Sequence, residues 1–149
     1  MRFLVAFDGS EEAEDALAYA IDIASAMGGS ITVAYAVDPD IYEVGGSQPI
    51  SGFSDADRRL FTESIEAAED RGLDILEDAE RLADDLEYAV ETELLYGDPV
   101  EEITDYAEDG GFDGVFVGHR SRSERVGRLL GSVAKSIVER ATVPVTVVR

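Results

Sequence analysis

Short apolar runs alternate along the chain with segments in which apolar residues recur at helical spacing. The first apolar run ends at Asp8-Gly9-Ser10, and apolar residues then recur every three or four positions as far as Met27. That spacing is typical of an amphipathic helix. Ser10 is suited to cap the start of this helix, and Gly28 is suited to end it. The chain is therefore predicted to begin with a strand followed by a helix.

The same alternation continues to the other end of the chain. Predicted strands lie at 3–7, 30–37, 90–96, 112–117 and 143–148, and predicted helices begin after Ser10, near Ser54, at Pro99 and at Ser132. Apolar strands separated by amphipathic helices are typical of the α/β class, in which helices cover both faces of a doubly wound parallel sheet. With 149 residues, of which 45% are hydrophobic, we expect a single domain over 1–149 that needs no disulfide or metal to bury a core.

One connection is longer than the others. The segment 38–53, which begins at Asp38 and ends at Phe53, contains several glycines and prolines and shows no periodicity. It follows the second predicted strand and therefore lies at the carboxyl edge of the sheet, where ligands bind in this class. A lid over a ligand and a plain surface loop both remain open.

The charge of the chain is strongly negative. There are 33 acidic and 12 basic residues, a net charge of −21, and a single lysine, Lys135. Such a surface repels itself in dilute buffer, whereas near 1 M salt the screening length falls to about 3 Å. We therefore expect a salt-adapted protein, with an ordinary acidic protein as the alternative. The same charge argues against binding to nucleic acid or anionic membranes.

Other residue types narrow the possible functions. The absence of cysteine excludes disulfides, thiol nucleophiles and cysteine-based metal sites, and the single histidine, His119, excludes a multi-histidine metal centre. The N-terminal apolar run is too short for a signal sequence, and no run approaches the roughly 18 apolar residues of a transmembrane helix. We expect a cytoplasmic protein.

A local basic segment stands out against this charge. Four arginines fall within the nine positions 120–128, between a predicted strand and the helix that begins at Gly131-Ser132. Small residues at a helix start let backbone N–H groups approach an anion. Phosphate is the first ligand that this segment indicates.

The segment 118–132 resembles the nucleotide-binding signature of the universal stress protein family, in which Gly-x-x-Gly is followed after nine residues by Gly-Ser or Gly-Thr. Here the pattern is Gly118-His119-Arg120-Ser121, nine residues, then Gly131-Ser132. Ser121 replaces the second glycine, and a serine there has less backbone freedom beside a phosphate. The Gly97-Asp98-Pro99 turn and the final strand, from Val143 to Val148, also resemble the family, so the likeness covers the whole chain.

The resemblance implies a Rossmann-like sheet with strand order 3-2-1-4-5 and a crevice between the ends of strands one and four. It implies ATP as the ligand. The sequence has no confident metal-ligand cluster, and Asp8 or the bound phosphates are the groups that could recruit magnesium. It also implies a homodimer that pairs through the final strand. The implied contacts are Asp8 and Val37 at the adenosine end, Ala6 and Val117 around adenine and ribose, and Gly118, Ser121, Gly131, Ser132 and Val133 at the phosphates.

Three basic side chains in the signature complete the predicted site. Arg120 and Arg122 would compensate for Ser121 through charge-assisted hydrogen bonds to phosphate. His119 lies within the signature and is counted with the binding residues. Because His119 is the single histidine and no carboxylate partner can be assigned to it, we interpret it as an exposed loop residue rather than a general base. Asp8 has a plainer alternative role in capping the first helix.

Three functions follow from these observations. The leading one is an ATP-binding, dimeric regulatory module, and the second is a nucleotide-free interaction scaffold of the same fold, which Ser121 favours. A true ATP hydrolase is the third, although no confident general base or metal-ligand cluster can be assigned. Neither a dinucleotide fingerprint, a P-loop nor a Gly-x-Ser-x-Gly elbow occurs in the sequence.

Overall fold

The computed structural model describes residues 1–38, 55–119 and 131–149, with side chains in the second range described from residue 65 onward. Strands and helices alternate as the sequence predicts. In chain order they are β1 Arg2–Ala6, α1 Glu11–Met27, β2 Ser30–Val37, α2 Asp55–Asp85, β3 Glu91–Tyr96, α3 Pro99–Asp109, β4 Gly114–Gly118, α4 Ser132–Arg140 and β5 Val145–Val148. The segment 38–53 lies outside the described residues except for Asp38.

The five strands form one parallel sheet in the order β3-β2-β1-β4-β5, which confirms the predicted fold class and strand order. Ala6 is paired with Ala34 of β2, and Val5 is paired with Phe116 of β4. The chain therefore winds outward from β1 to β3 and then returns to the other side of β1. The carboxyl ends of β1 and β4 lie side by side at this reversal of strand order, which is the usual ligand position in open α/β sheets.

Both faces of the sheet are buried, because successive side chains of the central strands point to opposite sides. On one face Phe3 and Val5 pack with residues of α1 and α2, including Leu17 and Leu76. On the other face Leu4 packs with α3 and α4. Burial on both faces explains why β1 is an unbroken apolar run rather than an alternating one.

The local signals at the helix ends are confirmed. Ser10 Oγ accepts a hydrogen bond from the amide of Ala13 at 3.2 Å, and Gly28 ends α1 with φ 67°. Asp98 Oδ1 accepts from the amides of Val100 and Glu101 at 2.9 and 3.1 Å, with Pro99 in the first turn. These caps place the starts of α1 and α3 at the carboxyl edge of the sheet.

Four predicted strands extend beyond the observed strands at one end. β1 ends at Ala6 instead of residue 7, β3 begins at Glu91 instead of 90, β4 begins at Gly114 instead of 112, and β5 begins at Val145 instead of 143. The amide of Phe112 donates to Ala107 O, so this apolar residue belongs to the turn that closes α3.

Within the described residues, no helix is both long enough and apolar enough to cross a membrane.

Candidate functional site

A cavity of about 260 Å³ opens at the carboxyl edge of the sheet, where the strand order reverses. The ends of β1, β2 and β4 form it together with the starts of α3 and α4 and one residue of α2. Its volume lies near the lower end of the range for small-molecule sites. Predicted binding residues that line it are Ala6, Asp8, Val37, Val117, Gly118, His119, Gly131 and Val133.

The middle of the cavity is apolar and lined by small side chains. Ala6, Ala34 and Ala36 line it from the ends of β1 and β2, and Ala68 lines it from α2. Small side chains on adjacent strand ends leave a space between the helices of the two faces. An apolar space of this kind suits a flat ring that is buried by contact rather than held by charge.

Two acidic residues, Asp8 and Asp38, line the cavity. Asp8 follows β1, is exposed, and lines the cavity. Its Oδ1 accepts from the amide of Ser10 at 2.9 Å and from Ser10 Oγ at 2.5 Å. Asp8 therefore stabilises the turn that begins α1, which is its plainer predicted role, while it also lines the cavity. Asp38 lines the cavity from the neighbouring strand end.

The start of α4 lies at the cavity and has no side-chain cap, unlike α1 and α3. The first intrahelical bond runs from the amide of Lys135 to Gly131 O at 2.9 Å. Among the described residues, the amides of Ser132, Val133 and Ala134 have no hydrogen-bond acceptor. The uncapped amides and the helix dipole make this end of the cavity electropositive.

The backbone conformation at Gly131 does not require a glycine. Its φ of −60° and ψ of 153° suit any L-amino acid. Its amide donates to His119 O at 2.8 Å and is therefore already engaged. Gly131 lines the cavity at the start of α4, next to the open amides of Ser132 and Val133.

His119 differs from the prediction that it is an exposed loop residue. The residue is half-buried and lines the cavity, and its Nε2 atom is buried without a hydrogen-bond partner among the described residues. Its backbone is held on both sides, because its amide donates to Val148 O at 2.8 Å while its carbonyl accepts from Gly131. His119 thus connects the end of β5 to the start of α4.

Gly118 has a packing role that sequence reasoning missed. A Cβ atom at this position would lie 2.7 Å from the carbonyl carbon and oxygen of Glu12 in α1. The glycine therefore lets the end of β4 approach the first turn of α1. No sequence signal near Gly118 identifies this contact, because Glu12 lies more than a hundred positions away.

Four of the predicted site residues are not among those that line the cavity. Arg120, Ser121 and Arg122 lie outside the described residues, and Ser132 is exposed beside the cavity without lining it. Within the described ranges, no group of three acidic or histidine side chains is arranged to hold a metal ion. Sequence reasoning also missed the apolar lining from Ala34, Ala36, Ala68, Pro99, Ile103, Ala134 and Ile137.

The chain belongs to the universal stress protein family, which it matches over residues 1–149. It is 27% identical to the stress response protein NhaX of Bacillus subtilis, over 99% of this chain and 97% of that protein. The universal stress protein UspA from Lactobacillus plantarum has the same fold, with a TM-score of 0.78, 24% identity, and coverage of 100% of this chain and 97% of that one.

Two further solved structures of this fold contain adenine nucleotides. A universal stress protein in complex with cAMP has a TM-score of 0.70 and 23% identity, and the likeness covers 100% of this chain and 97% of that one. The universal stress protein from Archaeoglobus fulgidus in complex with dAMP has a TM-score of 0.66 and 23% identity, and the likeness covers 100% of this chain and 98% of that one.

Proposed function

We propose that this universal stress protein binds ATP or a related adenine nucleotide in the cavity at the carboxyl edge of the sheet. The observation that carries the proposal is an apolar space that ends at an uncapped helix start. A nucleotide has a flat ring at one end and an anion at the other. The apolar space suits the ring, and the uncapped helix start suits the anion. The cAMP and dAMP complexes of two proteins with this fold support the same ligand class.

The charges around the cavity favour one orientation of the ligand. Asp8 and Asp38 line the cavity after the ends of β1 and β2, where they repel phosphate, and the open amides of Ser132 and Val133 lie at the start of α4, which follows β4. The base and ribose would lie near Ala6, Val37 and Val117, with phosphates at the start of α4. Arg120, Arg122 and the Ser121 hydroxyl would add contacts to the phosphates, and magnesium would accompany them.

The role we propose is that of a cytoplasmic, dimeric module whose interactions respond to bound nucleotide, rather than a fast enzyme. The second candidate is a nucleotide-free scaffold of the same fold, which the replacement of a signature glycine by Ser121 favours. Mass spectrometry of small molecules released from the purified, salt-maintained protein separates the two. An adenine nucleotide near one per chain supports the first candidate. Protein that carries none and that also fails to bind added ATP in calorimetry contradicts it.

The proposed dimer forms through β5, one of the two edge strands of the described sheet. Among the described strands β5 pairs with β4 alone, and its valines are half-buried. An apolar edge strand readily pairs with a second copy of itself. We therefore expect sedimentation in molar salt to give twice the mass of one chain, and a single-chain mass over the whole concentration range would refute the dimer.

Salt adaptation gives a separate prediction for stability. With a net charge of −21, repulsion between surface carboxylates destabilises the folded chain in dilute buffer, and molar salt screens it. The melting temperature should therefore rise steadily from low to molar KCl. Sodium chloride at equal ionic strength serves as the comparison, and a flat response would show that the chain is an ordinary acidic protein.

A further inference from the structure

The ring of His119 carries a polar atom that has no partner in the described part of the chain. The Nε2 atom is fully buried, and the residue lines the cavity. Folded proteins rarely leave a buried polar atom unpaired, because burial removes the hydrogen bonds that the atom makes with water. An unpaired buried nitrogen at a cavity is therefore a candidate contact for a ligand.

The main chain of His119 does not explain why a histidine stands there. Its amide donates to Val148 O at 2.8 Å, and its carbonyl accepts from the amide of Gly131 at 2.8 Å. Both bonds use main-chain atoms alone, so any residue except proline could form them. They hold the residue in place between the end of β5 and the start of α4. What the histidine itself contributes is its ring.

The cavity offers carboxylates that could have paired with this ring. Asp8 and Asp38 both line the cavity, yet neither accepts a hydrogen bond from Nε2. The ring is therefore not the histidine of an Asp-His pair, and its nitrogen is not held by the acidic part of the cavity. An imidazole nitrogen that carries the proton is a donor, so the missing partner of Nε2 is an acceptor on the ligand.

The position of His119 in the fold indicates which part of a nucleotide supplies that acceptor. His119 comes two positions after Val117, which lines the apolar part of the cavity, and its carbonyl is bonded to Gly131 at the start of α4. The residue thus lies where the proposed site changes from base and ribose to phosphate. The buried ring nitrogen and the open amides of α4 are separate observations, and both offer N–H groups to an anion in one cavity.

We propose that His119 Nε2 donates a hydrogen bond to the first phosphate of the nucleotide, the one attached to the ribose. A buried group without its partner disfavours a ligand that lacks the matching acceptor. Adenosine would leave Nε2 unpaired, whereas AMP and ATP would pair it, so His119 makes the site select nucleotides over nucleosides. This inference rests on the proposed nucleotide site and assigns the residue that determines its specificity.

Nuclear magnetic resonance tests the contact on the unaltered protein, because His119 is the single histidine of the chain. Protein that carries isotope-labelled histidine is titrated to saturation with adenosine, AMP or ATP, in molar KCl and at constant pH. AMP and ATP should shift the Nε2 resonance in the same direction. Adenosine should leave the resonance where it lies in the ligand-free protein.

Calorimetry of variants gives the second test. His119→Phe keeps an aromatic ring without nitrogen, and it should weaken AMP and ATP binding about ten-fold or more, as expected for a hydrogen bond to a charged group. Adenosine binding should not weaken. His119→Gln, whose amide can donate, should retain most of the preference. Tyr19→Phe is the control, because it removes a polar atom from an exposed ring of α1 that does not line the cavity.

The outcomes separate this inference from the proposal on which it rests. If AMP and ATP bind without moving the Nε2 resonance, and His119→Phe keeps the ratio of AMP to adenosine affinity, the phosphate contact is wrong and the nucleotide site stands. If adenosine moves the resonance as far as AMP does and binds His119→Phe more weakly, the ring contacts the nucleoside and the phosphate contact is again wrong. If neither AMP nor ATP binds the unaltered protein, both proposals are overturned.

Discussion

Gly131→Asp should abolish nucleotide binding and leave the fold intact. The backbone at Gly131, with φ −60° and ψ 153°, resembles that of Asp98, the cap of α3, with φ −62° and ψ 126°. An aspartate at position 131 would therefore cap α4 with its own carboxylate and occupy the amides that we assign to phosphate. Loss of two charge-assisted hydrogen bonds, each worth roughly 1.5–3 kcal/mol, weakens binding about 100-fold or more.

The stability of this variant is as informative as its affinity. An N-cap aspartate is at least as favourable as glycine, so the melting temperature in molar KCl should not fall. Val138→Asp is the control, because it adds the same charge to an exposed position of α4 that does not line the cavity. Calorimetric affinity for ATP that is unchanged in Gly131→Asp would show that α4 does not hold the phosphates.

Gly118→Ala should destabilise the protein even without ligand. The added methyl group would lie 2.7 Å from the backbone of Glu12, closer than atoms can approach, so β4 and α1 must separate. Overpacking of this kind costs about 1–3 kcal/mol, which should lower the melting temperature of the ligand-free protein by several degrees.

Gly114→Ala is the matched control in the same strand. A Cβ at Gly114 would lie 3.5 Å from the Phe3 side chain and from Pro144 O, an ordinary contact. This variant should melt close to the unaltered protein in thermal denaturation. Equal melting temperatures for the Gly114 and Gly118 variants would contradict the packing role of Gly118 and leave ligand binding as the reason for a glycine there.

Local features of the fold could be predicted from the sequence because their causes are local. Ser10 and Asp98 accept hydrogen bonds from amides within three positions of themselves, and Pro99 lies in the first turn of its own helix. Short sequence patterns therefore identify these helix starts. Strand order has no local cause, since β1 and β4 are separated by about a hundred residues. The resemblance to a known family supplied the order 3-2-1-4-5.

The candidate site could be predicted only through the family resemblance, which supplied the residues of the signature and also Ala6, Asp8, Val37 and Val117. Small apolar residues such as Ala34 and Ala68 line the cavity from different elements, and in the sequence they are indistinguishable from core residues. Burial of the His119 Nε2 atom likewise depends on elements that meet only in the fold. In physical terms, the unpredicted part of the site arises from contacts between elements that are distant in sequence.

The most direct test of the proposed site is a crystal structure of the protein grown with ATP in high salt. Phosphate oxygens should lie within about 3 Å of the amide nitrogens of Ser132 and Val133, with the base between the ends of β1 and β4. Nucleotide bound elsewhere, or a cavity without nucleotide at saturating ATP, would contradict it.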